Sequence, residues 1–154
     1  LLVIMGITYR ENQYQFQFLN EAAEAGGLQS YSQILVKPHP GLSRVGLKLV
    51  YGLNFKFSIR NQPLSGLWPL ADVVYGAHST GASWEASWYG IPAITVSAVN
   101  SLNLNPLAGL PGSCFVASGV DLSEQLKNPQ LVEIPEDYFF LDEDLKFWKD
   151  LLQG

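Results

Sequence analysis

The chain has 154 residues, 47% of them apolar and 15% charged, and carries a net charge of −5. Such a chain can bury a core of its own and is too apolar for a disordered segment. Its longest strongly apolar run, Leu1–Met5, is far short of the roughly 20 residues that a membrane-spanning helix needs, so no transmembrane segment is expected.

The acidity is uneven. Residues 1–120 hold six Lys/Arg against five Asp/Glu, and residues 121–154 hold three against nine. Neither part has the basic surplus of a nucleic-acid binder. The lone Cys114 cannot form an internal disulfide, and its Cys-Phe-Val-Ala surroundings read as core. A reducing, cytoplasmic location follows, with no metal and no cofactor expected. The chain starts without Met and directly on an apolar run, which reads as an excision from a longer protein.

Strand-like and helix-like segments alternate, which predicts an α/β domain with a Rossmann-like, doubly wound parallel sheet of about six strands. Leu1–Met5, apolar throughout, suits a strand covered on both faces, and Gly6 ends it. Thr8-x-x-Glu11 has capping-box spacing and opens a helix to about Ala25. Phe18, Ala22 and Ala25 form its inner face, and Gly26-Gly27 stop it. Ile34–Val36 is the second strand, closed by Lys37-Pro38-His39-Pro40. The alternation in Phe55–Ile59 predicts the third. Leu64–Leu70 has room for one or two turns. Asp72–Tyr75 is the fourth strand, Ala82–Tyr89 the helix after it, and Ala93–Val96 the fifth strand.

Asn100–Gly112 is a long Asn/Pro/Gly/Leu loop, of the kind that is often functional or mobile. Phe115–Ala117 and Leu122–Lys127 read as a sixth strand and a short helix. Asp142–Leu152 is an amphipathic helix with Leu145, Trp148 and Leu152 on one stripe. It is expected to lie on a surface, with Trp148 incompletely buried.

Ligands of open parallel sheets bind beyond the carboxyl ends of the strands, where the strand order reverses. Both histidines and three of the six basic residues before position 120 (Arg10, Lys37 and Arg60) follow predicted strands on that edge. The edge therefore suits a phosphate-bearing ligand although the chain is acidic. Ser79-Thr80-Gly81 opens a helix, where backbone N–H groups favour an anion and Gly81 permits close approach; a plain Ser/Thr cap is the alternative. Glu85, one turn further on, can accept from a ribose diol, or can be a solvated helix carboxylate. Two prolines hold His39 rigidly, so its imidazole can donate to a phosphate or protonate a leaving one. Trp84 and Trp88, four residues apart, read as packing residues rather than a sugar platform.

Val36-Lys37-Pro38-His39-Pro40, then Ala71-Asp72-Val73-Val74-Tyr75-Gly76-Ala77-His78-Ser79-Thr80, then Glu85-Ala86 and Gly90-Ile91-Pro92-Ala93-Ile94 resemble the C-terminal domain of GT-B glycosyltransferases. The likeness is to bacterial surface-polysaccharide enzymes: sialyl- and polysialyltransferase-like proteins, capsule-synthesis transferases and glycerophosphotransferases. It implies that residues 1–154 are the nucleotide-sugar donor domain of a GT-B architecture, without the N-terminal acceptor domain. It further implies that His39, Ser79 and Thr80 hold the phosphate of a cytidine-nucleotide donor.

Three departures stand out. The second hydroxyl belongs to Thr80 rather than Ser. The residue eight after Glu85 is Ala93 rather than a carboxylate. The acidic base that those enzymes carry outside these motifs has no counterpart here.

The reading that results is transfer of a sugar from a CMP-, CDP- or UDP-linked donor to a surface carbohydrate whose acceptor site lies in the missing domain. His39 is the candidate catalytic residue. Gly6, Arg10, Lys37, His78, Ser79, Thr80, Gly81 and Glu85 are candidates for substrate binding. The protein would be cytoplasmic or peripheral at the inner membrane. A GT-B-like nucleotide-sugar epimerase and a non-catalytic nucleotide- or sugar-binding module remain alternatives.

Overall fold

The computed structural model describes residues 1–97, 103, 105–136, 138 and 145–153. Six strands form one parallel sheet: β1 (Leu2–Ile4), β2 (Leu35–Lys37), β3 (Ser58–Ile59), β4 (Val74–Gly76), β5 (Ala93–Val96) and β6 (Cys114–Val116). Their order is β3-β2-β1-β4-β5-β6, and all five neighbouring pairs are parallel. This is the doubly wound arrangement, and the order reverses between β1 and β4.

Alternate residues of the strands face two separate apolar layers. Leu1, Val3, Met5, Val36, Tyr75, Ile94 and Val96 pack against α1 (Tyr9–Glu24) and α4 (Gly119–Lys127) through Phe16, Leu19, Ala22, Leu122 and Leu126. Leu2, Ile4, Leu35, Val74 and Ala93 pack on the other face against Trp68 and against Ala82 and Ala86 of α3 (Ala82–Trp88). The unbroken apolar composition of β1 follows from cover on both sides.

Three elements differ from the sequence expectation. The alternation over Phe55–Ile59 yields only two paired residues, Ser58 and Ile59. Phe55 and Phe57 instead pack edge to face, centroids 6.5 Å apart, against the core from irregular backbone. Ala25 is exposed, because it caps α1 rather than continuing the inner face. A short helix, α2 (Arg44–Lys48), continues into a 3-10 turn at Leu49–Gly52 and was not anticipated. Its start is marked by Ser43, whose Oγ accepts from the Gly46 N–H at 3.1 Å.

Of the Asn-rich loop, residues 98–102 and 104 lie outside the described part. The described portion is tied to α3: Asn105 is buried, and its Nδ2 donates to Ser83 Oγ at 3.0 Å. The last helix, α5 (Lys146–Gln153), adds no strand to the sheet, and Trp148 is 56% exposed. Residues 142–144, expected to begin that helix, are not among those described. No helix among the described residues is long and apolar enough to cross a membrane.

Cys114 is free and partly buried. Burial, with a smaller contribution from the charge of Asp121, pushes its thiol up to about 11. A raised thiol stays protonated at neutral pH and has little nucleophilic thiolate. Alkylation by iodoacetamide at about pH 7.5 is therefore expected to be on the order of a hundred-fold slower than for free cysteine. Reaction at the free-cysteine rate would place Cys114 on the surface.

Candidate functional site

The reversal of strand order opens a cleft of about 440 Å³ at the carboxyl edge of the sheet. Ile4 and Met5 from the end of β1 form part of its lining, with Lys37, Pro38, His39 and Pro40 after β2 on one side. Thr80, Gly81 and Glu85, at the start of α3, line the other side, and Pro63 and Leu64 complete the wall. Five of the nine candidate residues thus share one cavity, although they come from separate stretches of the chain.

His39 is fixed by its own turn. Gly41 N–H donates to His39 Nδ1 at 3.0 Å, and the Leu42 N–H donates to the His39 carbonyl at 3.0 Å. Lys37 Nζ bends back to the Pro38 carbonyl at 3.3 Å. Across the cleft, Glu85 Oε1 accepts from the Trp68 indole N–H at 3.0 Å, which orients that carboxylate. Trp68 was not singled out from sequence. Thr80 Oγ1 accepts from the Ala82 N–H at 3.2 Å, while the N-cap of α3 is Gly81, which has no side chain to cap with. A Cβ added at Gly81 would meet nothing, so the backbone there is open to a ligand.

Gly6, His78 and Ser79 lie at the same edge but are organised around a different group, Glu11. The expected capping box is only half formed. Thr8 Oγ1 accepts from the Glu11 N–H at 3.3 Å, but the Glu11 carboxylate does not return to Thr8. It crosses the switch point to the β4–α3 loop. Oε1 accepts from the Ser79 N–H at 2.7 Å, Oε2 accepts from Ser79 Oγ at 2.8 Å, and His78 Nδ1 lies 3.1 Å from Oε1. The Glu11 side chain is 2% exposed, so these donors supply the solvation that it has lost.

Gly6 is a glycine because the carboxylate passes against it: an added Cβ would overlap Glu11 Oε2 and come within 2.9 Å of Ala77 Cβ. The Ser79 donors therefore face a carboxylate of the chain itself. Arg10 stands exposed on the first turn of α1, outside the cleft lining, with no hydrogen bond or ion pair among the described residues.

The capping-box spacing explains Glu11 as a cap alone, yet the sequence carries a further signal. Glu11, Asn12 and Gln15 fall on the face that also carries Phe16, Phe18 and Leu19, and all of them are buried. Polar residues on an inward face mark a network. Asn12 holds the Gly6 N–H and carbonyl at 2.8 and 2.9 Å, and Gln15 Nε2 donates to the Ile4 carbonyl at 2.9 Å. Behind them Tyr75 is fully buried, and burial, then the charge of Glu21, holds its phenol well above its ordinary range. Trp84 and Trp88 stack with centroids 5.6 Å apart; Trp84 packs on the second core layer and Trp88 is exposed on the surface of α3.

No protein-family model and no curated protein sequence matches the chain. Among solved structures, it is similar to a UDP-GlcNAc 2-epimerase of Methanocaldococcus jannaschii in complex with UDP-GlcNAc and UDP, with a TM-score of 0.67 at 16% sequence identity. The match covers 99% of this chain and 45% of that one, so the chain spans less than half the length of the protein it matches. At this identity the likeness establishes the fold alone: a Rossmann-like α/β domain with a six-stranded parallel sheet.

Proposed function

We propose that this chain is a nucleotide-sugar-binding domain, the donor half of a two-domain GT-B-like enzyme. The observation that carries the proposal is the cleft at the switch point, lined by Lys37, His39 and Glu85, whose volume of about 440 Å³ is within the usual range of small-ligand sites. Lys37 supplies positive charge and His39 a ring N–H donor for the phosphates, with the open backbone at Thr80-Gly81. Glu85, oriented by Trp68, takes the ribose diol. The UDP ligands of the structural neighbour favour uridine over the cytidine that the motif resemblance suggests.

The reaction we favour is glycosyl transfer, because the His-Pro and Ser-Thr segments resemble those of surface-polysaccharide transferases. Epimerisation of a UDP-sugar is the second reading, favoured by the structural neighbour. In both, this half would stabilise charge on the phosphates and an acceptor or second domain would complete the chemistry.

Titration calorimetry with UDP, UDP-GlcNAc, CDP and CMP tests the binding claim. UDP and UDP-GlcNAc are expected to bind, the sugar nucleotide being recovered unchanged. Failure of every nucleoside phosphate to bind at about millimolar concentration, an affinity of only ~4 kcal/mol, would remove the donor site.

A further inference from the structure

We propose that the two histidines at this edge are held in opposite tautomers, so that His39 presents a hydrogen-bond donor to a ligand phosphate and His78 presents an acceptor to a hydroxyl of the ligand's sugar. The ligand half of this inference rests on the proposed nucleotide-sugar site; the tautomers do not. A neutral imidazole carries one hydrogen, and the partner of one nitrogen decides which nitrogen bears it. In His39 the partner is a donor. Gly41 N–H points at Nδ1 from 3.0 Å, so Nδ1 holds the lone pair and Nε2 the hydrogen. In His78 the partner is an acceptor. Glu11 Oε1 lies 3.1 Å from Nδ1, and two lone pairs facing each other at that distance would repel, so Nδ1 carries the hydrogen and Nε2 the lone pair.

Glu11 is in this sense a positioning residue. Its carboxylate is anchored by the Ser79 N–H and Oγ, so it cannot turn away, and it acts through His78 rather than by touching a ligand. The arrangement also divides labour at the β4–α3 loop. Both Ser79 donors are engaged by Glu11, which leaves the phosphates to the His39 side of the cleft. His78, 24% exposed in its side chain and two residues before Thr80 of the cleft lining, offers Nε2, the ring nitrogen that Glu11 does not occupy. An Nε2 lone pair does not attract a phosphate, whose oxygens are themselves acceptors, but it does accept from a sugar hydroxyl.

The chain has only two histidines, so nitrogen-15 spectra of its imidazole rings contain two spin systems. They can be assigned with His78→Asn. An asparagine amide places Nδ2 where histidine has Nδ1, so this variant keeps a donor for Glu11 and removes Nε2. At roughly pH 9, where ordinary imidazoles are neutral, the His78 ring is expected to carry its hydrogen on Nδ1 and the His39 ring on Nε2. The same tautomer in both rings would overturn the inference.

At the same pH, His78→Asn is also expected to leave the thermal midpoint and UDP affinity near wild type. The affinity for UDP-GlcNAc should fall about three- to ten-fold, the loss of one neutral hydrogen bond. Equal weakening of UDP and UDP-GlcNAc, or of neither, would overturn the hydroxyl assignment. If the wild-type chain binds neither ligand, the nucleotide-sugar reading fails and takes the hydroxyl role with it, while the tautomers are still decided by the spectra.

Discussion

Replacing Gly6 by alanine is expected to cost the chain about 3–5 kcal/mol, the penalty typical of leaving a buried charge without its partners. The new methyl group would occupy the path of the Glu11 carboxylate. Glu11 would have to leave Ser79 and His78, which now hold both of its oxygens. Set against a total stability of roughly 5–15 kcal/mol for a domain of this kind, the loss is large. It should also be non-additive. In the Glu11→Ala background the carboxylate is gone, while the contact with Ala77 Cβ at 2.9 Å still opposes the new methyl. Gly6→Ala should then cost less by about 1–3 kcal/mol than it does in the wild type. Urea unfolding of the two single variants and the double variant reads this coupling directly. Additive losses would mean that Gly6 and Glu11 act independently and that the link between the two loops does not stabilise the site.

Much of the architecture was legible because the sheet is covered on both faces. The unbroken apolar stretches at Leu1–Met5 and Ile34–Val36, and Ala93–Val96 interrupted only by Thr95, read as strands in an alternating chain, and each lies where a strand forms. Gly6, which ends the first strand, and Ser79, which follows the fourth, share one edge because the strands are parallel: β1 and β4 are neighbours with Ile4 opposite Gly76.

What could not be read depends on contacts between distant residues. Gly46, a poor helix former, sits in the middle of α2 and hides it. Phe55 and Phe57 alternate like strand residues, but tertiary packing rather than pairing accounts for them. Glu11 satisfied a local rule, the capping box, so its true partners 67 and 68 residues away drew no attention. The cleft residues Lys37, His39, Thr80, Gly81 and Glu85 were recoverable because they lie at the end of β2 or in the loop and first turn of helix that follow β4. The allocation of Ser79 to a carboxylate of the chain itself was not, because nothing in the spacing of Thr8-x-x-Glu11 reveals which way the side chain turns.

His39→Ala is the substitution with the largest expected effect on binding. The imidazole is preset by the Gly41 hydrogen bond and by two prolines, so little ordering entropy is lost when a ligand arrives. A hydrogen bond to a charged phosphate contributes about 1.5–3 kcal/mol, so UDP affinity should fall by about ten- to a hundred-fold. Exposed Arg10 has no such constraint, and its removal should matter less.

The decisive comparison is calorimetric: UDP against uridine, each titrated into the wild-type chain and into His39→Ala. A phosphate site at the His39 side of the cleft predicts that UDP affinity drops ten-fold or more, by about 1.4 kcal/mol at least, while the weak binding of uridine is unchanged. Equal losses for UDP and uridine would show that His39 contacts the base or only shapes the turn, and the phosphate assignment would be wrong.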